Sequence, residues 1–361
     1  MIHEPGIYFG MPEAEYHADE SLSTSGIKKL IQDPEEFWDA SSMNPAPPAR
    51  EVKDHLARGT LWHCRILEPE NFYNKYAAAR HLMEGFDDEF ETLETVSDMQ
   101  AWMTRNNFAY KKSSKKDELA GLCAYYWKTY GAAACSTMPY LIDWEKAAFQ
   151  AENPGKTLIW SREIWESMLA AEAAIKAHPY FSRVFEGGMS EVSIFWVDPE
   201  SKIPMKCRVD KLKERVILDY KTMNVKRNKS AKDAALGAIK WEHYDIQTAV
   251  YTIGVAHAVN MINDGTGVIW GDVPGPFIDE FRRTPEKPFG FVFQKEDRPY
   301  TVRGLKVVRK GGDTFNVFGA GLFYMQQGIQ LYQEYKARYG EARWVEPSGM
   351  EEIRDDEIYY S

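Results

Sequence analysis

Cysteine is scarce in this sequence: four in 361 residues, at Cys64, Cys123, Cys135 and Cys207, with no C-x-x-C pair among them. That spacing offers neither a zinc cage nor a disulfide framework, and each thiol is expected to serve as a small buried hydrophobe. Long apolar runs are missing too. No stretch approaches the ~18 uncharged apolar residues that a membrane-spanning helix needs. The opening Met1-Ile2-His3-Glu4-Pro5 lacks the basic and apolar regions of a secretion signal. A cytoplasmic chain with no membrane contact is expected. Net positive charge is also absent: the total is −10 at pH 7, which argues against a simple coat on nucleic acid, a role that favours a basic surface. No internal repeat and no low-complexity tract interrupts the chain.

What is present suits a packed globular protein. The hydrophobic fraction of 44% and aromatic fraction of 14% supply a core, and 27% charged residues supply a solvated surface. Charge is distributed unevenly. From Lys206 to Lys232 ten Lys/Arg face three acids, a local +7. A second run, Lys111, Lys112, Lys115 and Lys116, follows Arg105 with no acid between, whereas acids gather from Glu84 to Asp98. Such runs are most often solvated faces, so charge alone assigns no function.

Residues 21–40 read as a Ser-rich cap and a helix that stops before Pro34. After a Pro-rich link over 44–48, a second helix carries GTLWHCRILEPE and ends near Pro69. Residues 71–150 are polar and helix-prone. GKTLI predicts a short strand, followed by a helix from Ser161 that Pro179 ends. The texture then changes. EVSIFWV, MKCRVDKL and RVILDYKT predict an antiparallel three-stranded meander, with a turn at Asp198-Pro199-Glu200-Ser201. A helix is expected from about 231 to 259, broken near Gly237, then strands FGFVFQKE and YTVRGLKVV, and a last helix over about 315–339. This order predicts an α/β or α+β domain with a sheet at its centre.

Chemistry concentrates at Asp210 and Asp219-Tyr220-Lys221. Residues two apart on a strand face the same way, so Asp219 and Lys221 project together and Tyr220 turns into the opposite layer. A tight hairpin would bring the Asp210 carboxylate beside Asp219. Two converging carboxylates repel unless a cation lies between them, and hard oxygen donors suit Mg²⁺ or Mn²⁺. A lysine beside such a site can stabilise the transition state of phosphodiester hydrolysis as a point charge. The bare D-x(n)-[DE]-x-K pattern arises by chance on the order of twice in a chain this long, so context must decide. An exposed hairpin with a surface ion pair is the plain alternative.

Three further features fall in order. His63 lies on a helix before the strands, where a neutral imidazole could bind metal, although a packed core histidine would look the same. Glu191 opens the first strand and could bind a second metal or orient a water; a strand-edge charge is the alternative. Gln247 and Tyr251 share one helix face at i and i+4, in a stripe with Tyr244 and Val255 that would equally suit a core.

At these residues the sequence resembles a RecE-type (exonuclease VIII) nuclease, in the RecB-like branch of the PD-(D/E)XK superfamily. The matching stretches are LSTSGIKKL, GTLWHCRILEPENF, GKTLI, the EVSIFWV to RVILDYKT meander, YDIQTAVY, FVFQKEDRPYTV and RWVEP. The resemblance implies an α/β, restriction-endonuclease-like core, a central mixed sheet flanked by helices. It would form a single nuclease domain over 1–361: an N-terminal helical part over 1–75, a helical insertion over 76–150, and the catalytic sheet with its helices over 151–361.

By residue, the resemblance implies that His63, Asp210, Asp219 and the Tyr220 carbonyl bind metal, as two Mg²⁺ or Mn²⁺ ions per site, with Glu191 as a further acid. Lys221 would be the catalytic lysine, and Gln247 and Tyr251 the Q-x-x-x-Y motif. Ser23, Ser25 and Lys28 would approach the DNA end, and Arg208, Lys226, Arg227 and Lys229 would face DNA. The implied activity is 5′→3′ degradation of one strand from a duplex end, leaving a 3′ tail. A homo-oligomeric ring around DNA and a single-strand annealing partner are implied as well. The iron–sulfur cysteines of some RecB-like nucleases and the N-terminal extension of some RecE proteins have no counterpart here. A non-processive PD-(D/E)XK endonuclease of repair or restriction, and a catalytically silent DNA-binding scaffold, are the competing readings.

Overall fold

The computed structural model describes residues 3–48, 54–83, 85–308 and 316–345. Phe315, at the expected start of the last helix, and Glu346-Pro347 of RWVEP lie outside them. The strands in chain order are β1 (Gly6–Tyr8), β2 (Tyr76–Ala78), β3 (Phe90–Leu93), β4 (Met138–Leu141), β5 (Thr157–Ile159), β6 (Met189–Val197), β7 (Pro204–Lys213), β8 (Val216–Met223), β9 (Val268–Trp270), β10 (Phe289–Lys295) and β11 (Val302–Lys306). The chain divides into two compact units, one formed by Met1–Leu67 with Ala171–Ser361 and the other by Glu68–Ala170.

The first unit is built on a mixed seven-stranded sheet of order β11-β10-β8-β7-β6-β1-β9. The expected meander β6-β7-β8 is antiparallel throughout. β10 joins β8 in parallel, and β11 returns antiparallel. The meander strands do not show the polar alternation of a half-solvated sheet. In β6, Ile194 and Trp196 enter the main core while Phe195 packs with Tyr8, Met11 and Tyr16 in a second cluster. Such a strand is covered on both faces and reads as a nearly continuous apolar run.

A helix over Tyr244–Asp264 lies in that core, with buried residues around its whole circumference, the pattern of an interior helix. Gly254 lets it approach the sheet: a Cβ there would meet Cys207 Sγ and Trp196 Cζ3 at 2.8 Å each. The break that precedes this helix is at His243, in the left-handed region with φ 50°, and not at Gly237, which lies inside the Ala231–Trp241 helix. Tertiary packing sets it, since the turn brings the Tyr244 ring to within 6.0 Å of Phe291 and 6.3 Å of Phe293. Strands β1 and β9 were not expected; three residues each are too few to carry a period.

The second unit contains helices over Val96–Arg105 and Lys116–Tyr130 around Leu93, Met99, Trp102, Leu119 and Cys123. Beside these helices it holds two short parallel ladders, β2 with β5 and β3 with β4, which the helix-prone composition of 71–150 did not announce. All four cysteines are free and buried. No helix among the described residues is long and apolar enough to cross a membrane.

Candidate metal centre

The site forms where the meander loses its regularity. Pairing of β7 with β8 covers Lys211–Lys213 against Val216–Leu218. Past that point the Tyr220 N–H donates to the Asp210 carboxylate (Oδ2, 3.1 Å) instead of a neighbouring carbonyl. On the other side of β7, Glu191 lies between the pairs Ser190↔Lys211 and Val192↔Val209 with φ 54°, left-handed for a residue with a side chain. Alternation slips at the same place. Val209 and Leu212 are three apart yet join one core cluster, and Val192 and Met189 do likewise. A local irregularity of this kind re-aims side chains, and the conformation costs on the order of 1–3 kcal/mol, which the surroundings must hold.

Glu191, Asp210 and Asp219 thus converge across three adjacent strands. The Asp54–Leu67 helix adds His63. Its end is tied down: Ser190 Oγ donates to the Leu67 carbonyl (2.6 Å), and Arg65 pairs with Glu172 (2.8 Å). His63 Nε2 lies 2.9 Å from Asp210 Oδ2, and its Nδ1 lies 3.4 Å from Glu191 Oε1. One ligand atom each from His63, Glu191 and Asp210 fall within 4.8 Å of one another, as a metal ion would require. From β8, Lys221 Nζ sits 2.7 Å from Asp219 Oδ1 and 4.0 Å from Asp210 Oδ2. The interior helix adds Gln247, whose Nε2 donates to Asp219 Oδ2. Asp219 is fully buried, and its Oδ1 accepts no aligned hydrogen bond despite the nearby ammonium. A buried carboxylate oxygen left in that state fits a cation ligand.

Electrostatics reflect the crowding. Burial and the charge of Asp210 push Asp219 up to about 7, against the pull of Lys221. Burial would likewise raise Asp210, but His63, Lys221 and the Tyr220 N–H hold it at about 2. Burial would lower His63; Asp210 and Glu191 overcome it and raise the imidazole to about 9. Burial also works against the Lys221 ammonium, yet Asp219 and Asp210 raise its pKa. Neighbouring groups with pKa values driven so far apart in one cluster make it a candidate functional site.

The remaining expected residues divide. Tyr251 is close enough for Asp210 and Asp219, after burial, to raise its pKa, but among the described hydrogen bonds its hydroxyl donates to neither. The Tyr220 ring turns into the opposite layer as expected and donates to Gln294 Oε1 (2.7 Å). Ser23 caps the Thr24–Gln32 helix and shares a hydrogen bond with Ser25 (2.9 Å). Lys28, on that helix, reaches the site: its ammonium and that of Lys221 lie 4.9 and 5.1 Å from the centroid of the Tyr244 ring. Burial and repulsion from Lys221 lower Lys28 to about 8. Lys226, Arg227 and Lys229 occupy an exposed loop after β8, apart from the acidic cluster.

Arg208 departs from the expected DNA-facing set. Its guanidinium turns inward, with Nε 2.7 Å from Glu191 Oε2 and Nη1 donating to the Met11 carbonyl and Ser193 Oγ, each at 3.0 Å. Alternation along β7 beside the kink puts it there, and a count of basic residues could not show it. Arg208 therefore holds Glu191 in its left-handed conformation. Arg208→Ala is expected to weaken Mn²⁺ binding by about 10- to 100-fold, as loss of a partner behind a ligand does. Calorimetric Mn²⁺ titration checks this, and unchanged affinity would release Arg208 from that role.

A family model described as PDDEXK-like domain of unknown function (DUF3799) matches residues 23–264, more than half of the chain and all the site residues above. The chain belongs to this family. Its mixed central sheet flanked by helices is that of a PDDEXK-like fold. A solved structure from Eubacterium rectale, provisionally described as an exonuclease, is 14% identical, covering 78% of this chain and 96% of that one at a TM-score of 0.34. A likeness that distant carries no weight for function. No curated protein matches the chain.

Proposed function

We propose that this PDDEXK-like chain is a divalent-cation-dependent deoxyribonuclease that degrades one strand of a linear duplex from its end, 5′→3′, as RecE-type enzymes do. The observation that carries the reading is the meeting of Asp210, Asp219 and Lys221 with His63 and Glu191 at a break in the sheet. His63, Glu191, Asp210 and Asp219 would hold the cation, with the Tyr220 carbonyl as a further donor. Carboxylates plus one imidazole suit Mg²⁺ or Mn²⁺, and the resemblance supports two ions. The bound cation would lower the pKa of a water and neutralise charge on the scissile phosphate. Lys221 stands where it can stabilise the pentavalent phosphate, and Gln247 orients Asp219. The same resemblance supports a ring around DNA with Lys226, Arg227 and Lys229 toward the duplex, an annealing partner, and a cytoplasmic location.

Digestion of DNA with different ends tests this. With Mg²⁺, a linear duplex labelled at one 5′ end is expected to lose its label at once, a covalently closed plasmid is expected to survive, and EDTA is expected to abolish the loss of label. Cutting of the closed plasmid would favour the endonuclease. Binding of DNA without any cation-dependent loss of it would favour the silent scaffold.

A further inference from the structure

The second unit carries a basic, aromatic surface that the proposed active site does not use. Between Arg105 and Tyr130 lie six Lys/Arg and two acids, a local +4 in a chain of net −10. Arg105 is engaged by Glu91 and Lys116 by Asp143, while Lys111, Lys112, Lys115 and Lys128 form no ion pair among the described residues. All four of the latter are exposed. Like charges gathered without partners cost free energy, and they attract a polyanion.

The same segment builds a stack of rings. Phe108 lies face to face with Tyr126, with centroids 4.2 Å apart and planes 6° from parallel. Tyr130 continues the stack at 5.6 Å from Phe108 and 6.3 Å from Tyr126. The loop is strapped in place: Tyr126 Oη donates to the Ala109 carbonyl (2.7 Å), and Gln100 Nε2 to that of Lys112 (3.3 Å). The stack ends in solvent. Tyr130 is 49% exposed, unlike Trp102, which packs against Phe108 and is fully buried.

We infer that this face of the 68–170 unit binds single-stranded DNA. Tyr130 offers an exposed ring on which an unpaired base stacks, and Lys111, Lys112 and Lys115 offer charges to the phosphates. A duplex hides its base faces, so this surface selects the single strand. Base–aromatic stacking tolerates any sequence, because every base has a π-face. The choice of DNA rests on the nuclease reading; the geometry of the surface does not.

Fluorescence anisotropy of the full chain with a labelled oligothymidine, in EDTA so that no strand is cut, tests the inference apart from catalysis. Tyr130→Ala is expected to weaken binding about tenfold, the equivalent of 1.4 kcal/mol, within the range of one stacked base. Tyr130→Phe is expected to bind as the parent does. Lys111→Gln with Lys112→Gln, both exposed and therefore safe for the fold, is expected to lower the salt-dependence slope by about 1.4, at ~0.7 per phosphate contact in a single strand. The measurement needs no turnover, so a chain without nuclease activity would still pass. Parent affinity in both the tyrosine→alanine and the double-lysine variants, with melting curves that superpose on the parent's, would overturn the assignment. So would an absence of oligothymidine binding by the parent chain.

Discussion

Replacing Lys221 by alanine is expected to separate cation binding from turnover, tightening the first and nearly abolishing the second. The ammonium lies 2.7 Å from Asp219 and 4.0 Å from Asp210, where it neutralises the carboxylates that a cation would occupy and repels that cation. Two unit charges 4 Å apart interact by about 4 kcal/mol at an effective dielectric of ~20. In bulk water the same pair interacts by about 1 kcal/mol, so removal of the ammonium is expected to raise Mn²⁺ affinity by between about fivefold and about 10³-fold. On the proposed mechanism the same charge balances the growing negative charge on phosphate, and losing such a group costs about 10²–10³ in rate. The fold tolerates the change, because Asp219 keeps its bond from Gln247 and, already pushed up to about 7 by burial and Asp210, can carry a proton in place of its ion pair. Mn²⁺ calorimetry beside single-turnover digestion of a linear duplex reads both halves. Undiminished turnover would remove lysine from the mechanism, and weaker Mn²⁺ binding would make Lys221 a support for the site.

The parts of this arrangement that were legible beforehand rest on long regular segments. β6, β7 and β8 are eight to ten residues each, enough for composition and turn chemistry to fix strands and hairpins. The two-residue period then forces Asp219 and Lys221 to one side, and the i, i+4 spacing puts Gln247 and Tyr251 on one helix face. What stayed hidden depends on irregularity or on distant contacts. Nothing in EVSIFWV announces that Glu191 leaves the strand conformation, yet that single φ of 54° turns its carboxylate toward His63 and Asp210. Arg208 reads as one more cation in a basic run until the kink shows that it faces Glu191. Tyr244 looked like one member of an apolar stripe, and only the approach of β8 and of the Thr24–Gln32 helix puts the ammonium groups of Lys221 and Lys28 over its ring. The ladders of β2 with β5 and β3 with β4 join segments about 80 and 50 residues apart, a separation at which local propensity is silent. Sequence therefore locates the chemistry, while departures from ideal strand geometry shape the site.

Cation binding is expected to release protons, and to weaken steeply as pH falls. Without metal, Asp210 and Glu191 overcome the effect of burial and hold His63 protonated up to about 9. Metal takes only the neutral imidazole. Each pH unit below about 9 should then cost about tenfold in Mn²⁺ affinity for this proton alone, down to the region where the carboxylates themselves titrate. Asp219 adds a second, partial proton below about 7. The same linkage acts on the fold with the opposite sign. A histidine whose native pKa lies above its unfolded value near 6.5 stabilises the native state fully below 6.5, and that contribution disappears as pH rises through 9. The metal-free protein should therefore lose stability between pH 6.5 and 9, over the range in which added Mn²⁺ restores most. Calorimetry at pH 7.5 in buffers of different ionisation enthalpy should report close to one proton released per chain on Mn²⁺ binding. His63→Gln, which keeps a hydrogen-bonding group but no titration, should lose the imidazole's proton, leaving only the fraction held by Asp219, and flatten the pH dependence of affinity. A wild-type affinity that does not change between pH 7 and 9 would mean that His63 does not meet the cation, leaving Glu191, Asp210 and Asp219 to hold it alone.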